Sequence, residues 1–181
     1  MNVSFTVRGV PVPQGSKRAL VHRSTGRAVV IEQGGQRHKD WRQDVKYQAH
    51  IAMNDWEDLL TGPVGVSLCF TVPKPKSAPK TRRTWPDKRP DLDKLVRTIL
   101  DAITGEIIAD DAQVVQLLAS KAYPGEDTPC DVAKALAMDH TGVAVHVYQI
   151  EQEAGQLTRE SLKGAMDSMW NETRLPKGLA R

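Results

Sequence analysis

Arg89-Pro-Asp-Leu-Asp-Lys-Leu-Val-Arg-Thr-Ile-Leu-Asp-Ala-Ile-Thr-Gly-Glu-Ile-Ile-Ala-Asp-Asp-Ala-Gln-Val-Val115 is the stretch on which the reading of this chain turns. Pro90 biases the residue before it toward extended backbone, so an ordered element starts after it. Leu92, Leu95, Val96, Ile99, Leu100 and Ile103 recur at steps of three and four, the apolar stripe of one helix. Asp91 or Asp93 suits the cap of its first turn, and Gly105 supplies the permissive backbone that ends it. Lys94, Arg97, Thr98 and Asp101 take the other face. Past Asp110-Asp111, residues 113–123 read as a strand. A helix leading into a strand predicts a fold-back in which the carboxylates before the helix meet those before the strand.

Converging carboxylates repel one another, so they must share a proton or hold a cation. An all-oxygen set favours a hard ion, and Mg²⁺ takes one or two carboxylates with water and substrate phosphate. Such sites hydrolyse phosphodiesters. On spacing alone a second reading stands beside this one: Asp91 and Asp93 as helix caps, and Asp110-Asp111 as a turn.

Asp91-Leu-Asp-Lys-Leu95, then Leu100-Asp-Ala-Ile-Thr-Gly105, then Asp110-Asp-Ala-Gln-Val-Val115 resembles the core of the RusA-type Holliday junction resolvases, over residues 89–123. Gly9-Val-Pro-Val-Pro-Gln-Gly-Ser-Lys-Arg18 is similar, more weakly, to the proline-rich N-terminal segment of that family. The ordered combination is more specific than any one piece. The resemblance implies a homodimeric, Mg²⁺-dependent endonuclease, with Mn²⁺ as a substitute ion, that cuts four-way DNA junctions by paired incisions in recombination and repair. By position, Asp91, Asp93 and Asp111 match the family's metal-binding aspartates, and Asp110 its adjacent acid. Arg97 stands where the family carries a catalytic lysine. Arginine keeps the charge but cannot release a proton at working pH. Lys94 stands where the family commonly has asparagine, and reads either as a phosphate contact or as a solvated helix residue.

At 181 residues with 40% hydrophobic and 26% charged content, the chain fits a soluble globular protein built around one main domain. Aromatics at 5% argue against extensive base stacking. No apolar run reaches bilayer length and no secretory leader is visible, so no membrane partner is expected. Cys69 and Cys130 form no metal-spaced or redox pair, which fits a reducing cytoplasm. The five histidines show no zinc spacing, and nothing calls for a small-molecule cofactor.

The net charge of +3 is unevenly spread. Residues 1–97 carry 18 Lys and Arg against 9 Asp and Glu, and residues 98–181 carry 7 against 13. A half that basic is a candidate footprint for a polyanion. Within it, residues 2–9 alternate as a strand. The turn that follows, with Lys17 and Arg18, suits phosphate contacts or a solvated turn. Residues 19–32 fit a hairpin or an extended arm. Residues 36–60 read as a helix through Trp41, Val45, Ala49, Ala52 and Trp56, with cations crowded at its start against the helix dipole. Residues 64–72 read as a strand with Val64, Val66, Leu68, Phe70 and Val72 on one face. Residues 73–90 combine prolines with Lys74, Lys76, Lys80, Arg82, Arg83, Lys88 and Arg89, and only Asp87 is acidic. This segment has no regular element. It reads either as a solvated loop or as a phosphate-gripping one leading into Asp91, where Trp85 stacks on a base or packs back on the domain. Residues 141–150 form a last strand.

The expected fold is α+β: a single RusA-like domain over residues 1–150, with a mixed or antiparallel sheet of four or five strands and two main helices packed on it. Residues 151–181 read as a C-terminal extension, partly helical or disordered. The expected DNA contacts are Lys17, Arg18, Lys74, Lys76, Lys80, Arg82, Arg83 and Lys94. Two alternatives remain: a non-catalytic junction-binding module, and a Mg²⁺-dependent nuclease acting on flaps, forks or RNA.

Overall fold

β-Branched residues build the sheet, and two amphipathic helices cover one of its faces. In the computed structural model the elements run β1 (Asn2–Arg8), β2 (Lys17–Val21), β3 (Ala28–Glu32), α1 (Gly35–Ala52), β4 (Val64–Thr71), α2 (Leu92–Ile103), a 3-10 turn (Asp111–Gln113), β5 (Val114–Ala122) and β6 (Gly142–Gln149). The structure describes residues 2–15, 17–21, 25–26, 28–32, 35–53, 58–79, 81–126 and 137–150, with backbone only for 17–21 and 28–32. The expectation for residues 151–181 lies outside the described residues, as do Ser16, Trp56, Lys80 and Cys130.

One four-stranded sheet has the order β1-β6-β4-β5, and β2 and β3 form a separate antiparallel pair. β6 pairs antiparallel with both β1 and β4, whereas β4 and β5 run parallel. Parallel neighbours need a long crossover, and the segment between β4 and β5 supplies it, α2 included. The sheet is therefore mixed, and the architecture is α+β with two helices, as expected.

The core lies between this sheet and the helices. Trp41, Val45 and Ala49 of α1 and Leu95, Ile99 and Ile103 of α2 pack with Val66, Leu68 and Phe70 of β4 and with Val143, Val145 and Val147 of β6. Val64, Val66, Leu68, Phe70 and Val72 share the main core, as the alternation predicts, and the residues between them are also covered, so all eight residues of β4 are buried. Tyr148 lies opposite Gly65 in the ladder, and a side chain at Gly65 would meet its ring at 2.3 Å. Cys69 and Ala122 pack with Ala137. A central strand covered on both faces uses small residues where the cover comes close.

The helix expected over residues 36–60 ends at Ala52, with Met53 in a turn. Leu60 belongs instead to a parallel bridge with Ile108, its N–H donating to the carbonyl of Ile107 at 2.8 Å. That bridge anchors the turn after α2, where Gly105 takes φ +82°. Among the described residues no helix is long and apolar enough to cross a membrane.

Candidate active site

Asp91 occupies the N-cap position of α2 with extended backbone, and its carbonyl accepts from Leu95 N at 3.2 Å. Its carboxylate does not cap the helix; it pairs with Lys94 Nζ at 3.0 Å. The hydrogen bond and charge of Lys94 hold this carboxyl below its ordinary range, with Arg89 and Lys121 adding to the effect. Lys94 thus has a carboxylate partner one turn away. One turn of helix projects Asp93 and Arg97, both exposed, beside Leu92, Val96 and Leu100.

Those five residues of α2 line a cavity of about 450 Å³ with Leu117 and Ala119 of β5 and with Asp111. The floor is apolar, and the three charged groups on its wall are Asp93, Arg97 and Asp111. Lys121, near the end of β5, reaches the carbonyl of Pro90, so β5 runs back along α2 toward its start. The fold-back expected from the sequence is present and brings Asp93 and Asp111 to one cavity. Among the described residues no three Asp, Glu, His or Cys side chains lie close enough to hold one ion together. The donor chemistry nonetheless fits Mg²⁺, because two exposed carboxylates with water and phosphate are a common set for it.

Asp110 has a structural task. Its carboxylate accepts from Ala112 N at 2.8 Å, capping the 3-10 turn. Gln113 completes that turn: its Oε1 accepts from Ala109 N at 2.8 Å and Asp110 N at 3.0 Å. Its Nε2 donates to the carbonyls of Leu60 and Gly62, both at 3.0 Å. Asp111 follows Asp110 on this fixed turn and stays exposed. Sequence reasoning passed over Gln113, although its spacing of three from Asp110 is that of a capping box.

A second omission is Lys121. Its Nζ donates to Lys88 O at 2.9 Å and to Pro90 O at 3.0 Å. The available signal was a lone charge in an otherwise uncharged strand.

The N-terminal proline segment lies against α2. Gln14 N donates to Lys94 O at 3.0 Å, and Gln14 Nε2 donates to Asp101 Oδ2 at 3.0 Å. The Thr98 hydroxyl lies 3.3 Å from the Val12 carbonyl and 3.3 Å from His38 Nε2.

In the basic segment, Lys76, Arg82, Lys88 and Arg89 are exposed. Arg83 lies over the Trp85 ring at 4.1 Å. Lys74 is engaged internally, pairing with Glu126 and lying 5.8 Å from the centre of the Tyr123 ring. Burial raises the Tyr123 phenol, with Asp87 and Glu126 adding.

The family model for endodeoxyribonuclease RusA matches residues 9–132, which span the proline segment, the basic segment, the cavity and the Asp110-Asp111 turn. This chain belongs to the RusA family. The family is one of endodeoxyribonucleases that act on branched DNA junctions, which accords with acidic groups beside a cationic segment. An uncharacterized protein of Bacillus subtilis (strain 168), YqaN, is 31% identical over 137 residues, 68% of this chain and 89% of that protein. In this RusA-family chain Arg97 lines the same cavity as Asp93 and Asp111.

Proposed function

We propose that this protein is a Mg²⁺-dependent, structure-selective endonuclease that resolves four-way DNA junctions by paired phosphodiester hydrolysis in the cytoplasm, with Mn²⁺ able to replace Mg²⁺. The observation that carries the reading is the shared cavity: Asp93, Asp111 and Arg97 line it together, in a chain of the RusA family. Asp93 and Asp111 would hold the ion, with Asp91 two residues away at the helix entry. When bound, the ion would activate a water for attack and offer counter-charge to the leaving oxygen.

The chain's own residues do the rest. Arg97 offers a permanent positive charge to the phosphate as negative charge develops. It does not deliver the proton, so water protonates the leaving oxygen. Exposed Lys76, Arg82, Lys88 and Arg89 contact the DNA backbone, positioning it without reading its sequence. Lys17 and Arg18, which open β2, would add to that surface. A second copy related by a two-fold axis would supply the second incision.

The test is cleavage of a labelled four-way junction in Mg²⁺ and in EDTA, by the wild type and by Asp93→Asn and Asp111→Asn. Paired Mg²⁺-dependent nicks near the branch point, lost in both variants while junction binding persists, are expected. Cleavage of flaps, forks or RNA in preference to junctions would replace the substrate. A second reading has its own support, since Asp110 caps a turn and Asp91 is paired with Lys94. In it the chain is a junction-binding module, which would bind without metal and be indifferent to Asp111→Asn.

A further inference from the structure

Lys121 lies opposite Phe70 in the β4–β5 ladder, between buried Ser120 and Ala122, so its backbone is held by the sheet. From there its ammonium donates to the carbonyls of Lys88 and Pro90. These two residues flank Arg89, and Pro90 immediately precedes Asp91. The stretch from 81 to 91 has no helix or strand, so no ladder sets the position of its backbone. Proline also has no N–H with which to fix itself. The two lysine contacts thus tie the entry of α2 to β5, the strand that follows directly from the Asp111 turn.

We infer that Lys121 is a positioning residue: by clamping the Lys88 and Pro90 carbonyls to β5, it holds the α2 entry, with Asp91 and Asp93, in a fixed relation to Asp111. An ammonium suits this task because it carries three donors and no acceptor. Lys121 reaches backbone carbonyls that any residue type would present, so the clamp does not depend on the side chains of residues 88 to 90. The consequence for cleavage rests on the endonuclease reading, whereas the clamp itself does not.

The experiment compares Lys121→Met, which keeps the aliphatic stem but no donors, with Lys121→Arg, which keeps more than one donor. Amide hydrogen exchange on the metal-free protein reads the clamp. In Lys121→Met, exchange of the first hydrogen-bonded amides of α2, residues 95–97, should quicken about 10-fold or more as the helix entry loosens, with peptides from α1 and β4 unchanged. Single-turnover junction cleavage should fall about 10-fold or more, as expected when reacting groups are misplaced by a fraction of an ångström to an ångström. Junction binding without metal should stay within about threefold. Lys121→Arg should restore most of the exchange protection and most of the rate. If Lys121→Met does not fold, Lys121→Gln, which keeps a polar donor at the position, takes its place against Lys121→Arg. Unchanged exchange over residues 95–97 overturns the inference. So does faster exchange with undiminished cleavage by an active protein. If the wild type cuts no branched DNA, the endonuclease reading falls, and the exchange arm still decides whether the clamp exists.

Discussion

Replacing Gln113 by alanine removes four hydrogen bonds from the turn that carries Asp111: two accepted by Oε1 and two donated by Nε2. Each such bond stabilises by about 0.5–1.5 kcal/mol net, because water competes for the same groups. The Ala109, Asp110 and Gly62 partners are exposed, so water recovers much of their loss. Leu60 is 1% exposed, so its carbonyl is the group least able to find a substitute. The balance is a destabilisation of about 2 kcal/mol, or about 4–8 °C in Tm for a protein of this size. Urea unfolding with an unchanged slope would give the free energy, and junction cleavage would report the loosened Asp111. Gln113→Glu sharpens the test. It keeps an acceptor for Ala109 and Asp110 but sets a carboxylate against two carbonyl oxygens. It should therefore be at least as destabilised at neutral pH and recover stability in acid, where the protonated acid can donate. A Gln113→Ala variant within about 0.5 kcal/mol of wild type would refute the role assigned to this side chain.

Three further outcomes follow from the same geometry. Removing Lys94 with Lys94→Met should raise the Asp91 carboxyl toward its ordinary value in a metal-free ¹³C NMR titration; an unmoved midpoint would show that the pair does not persist in solution. The sign is that of a depressed acid: its stabilisation is present above the unfolded-state pKa and lost as pH falls through the folded one. Neutralising Lys76 and Arg82 together should flatten the slope of log K against log salt for junction binding by up to about 1.8, at about 0.9 for each phosphate contact, and an unchanged slope would take them out of the interface. Arg97→Met should lower cleavage about 100-fold with binding nearly intact, as loss of a transition-state charge contact does. Arg97→Lys should keep most of the rate, and equal rates for all three proteins would remove Arg97 from the chemistry.

Much of the candidate site was legible because it is local. The apolar stripe from Leu92 to Ile103, the glycine stop at Gly105 and the acidic turn before the strand are patterns within one short window, governed by helix period, backbone freedom and capping. α2, the turn and β5 accordingly form where the sequence expects them, with the strand one residue shorter at each end, Val114–Ala122, as Gln113 closes the turn. The end of α1 was less legible. Trp56 extended the helical spacing, but Leu60 is drawn into a bridge with Ile108, a partner nearly fifty positions away.

By itself the sequence determined the α+β class, the family resemblance, the order of the elements and the identity of the acidic and basic groups, since these depend on residue type and near neighbours. Only the tertiary structure decided that β6 lies between β1 and β4, that β4 is buried on both faces, and that Asp93 and Asp111 share a cavity with Arg97 while Asp91 turns to Lys94. It alone engaged Lys74 with Glu126 and sent Lys121 to the carbonyl of Pro90. The physical reason is the same in each case. Strand register and side-chain reach are set by which surfaces meet across the core, and a backbone carbonyl, the acceptor that captures Lys121, is present at every position and leaves no mark in the sequence.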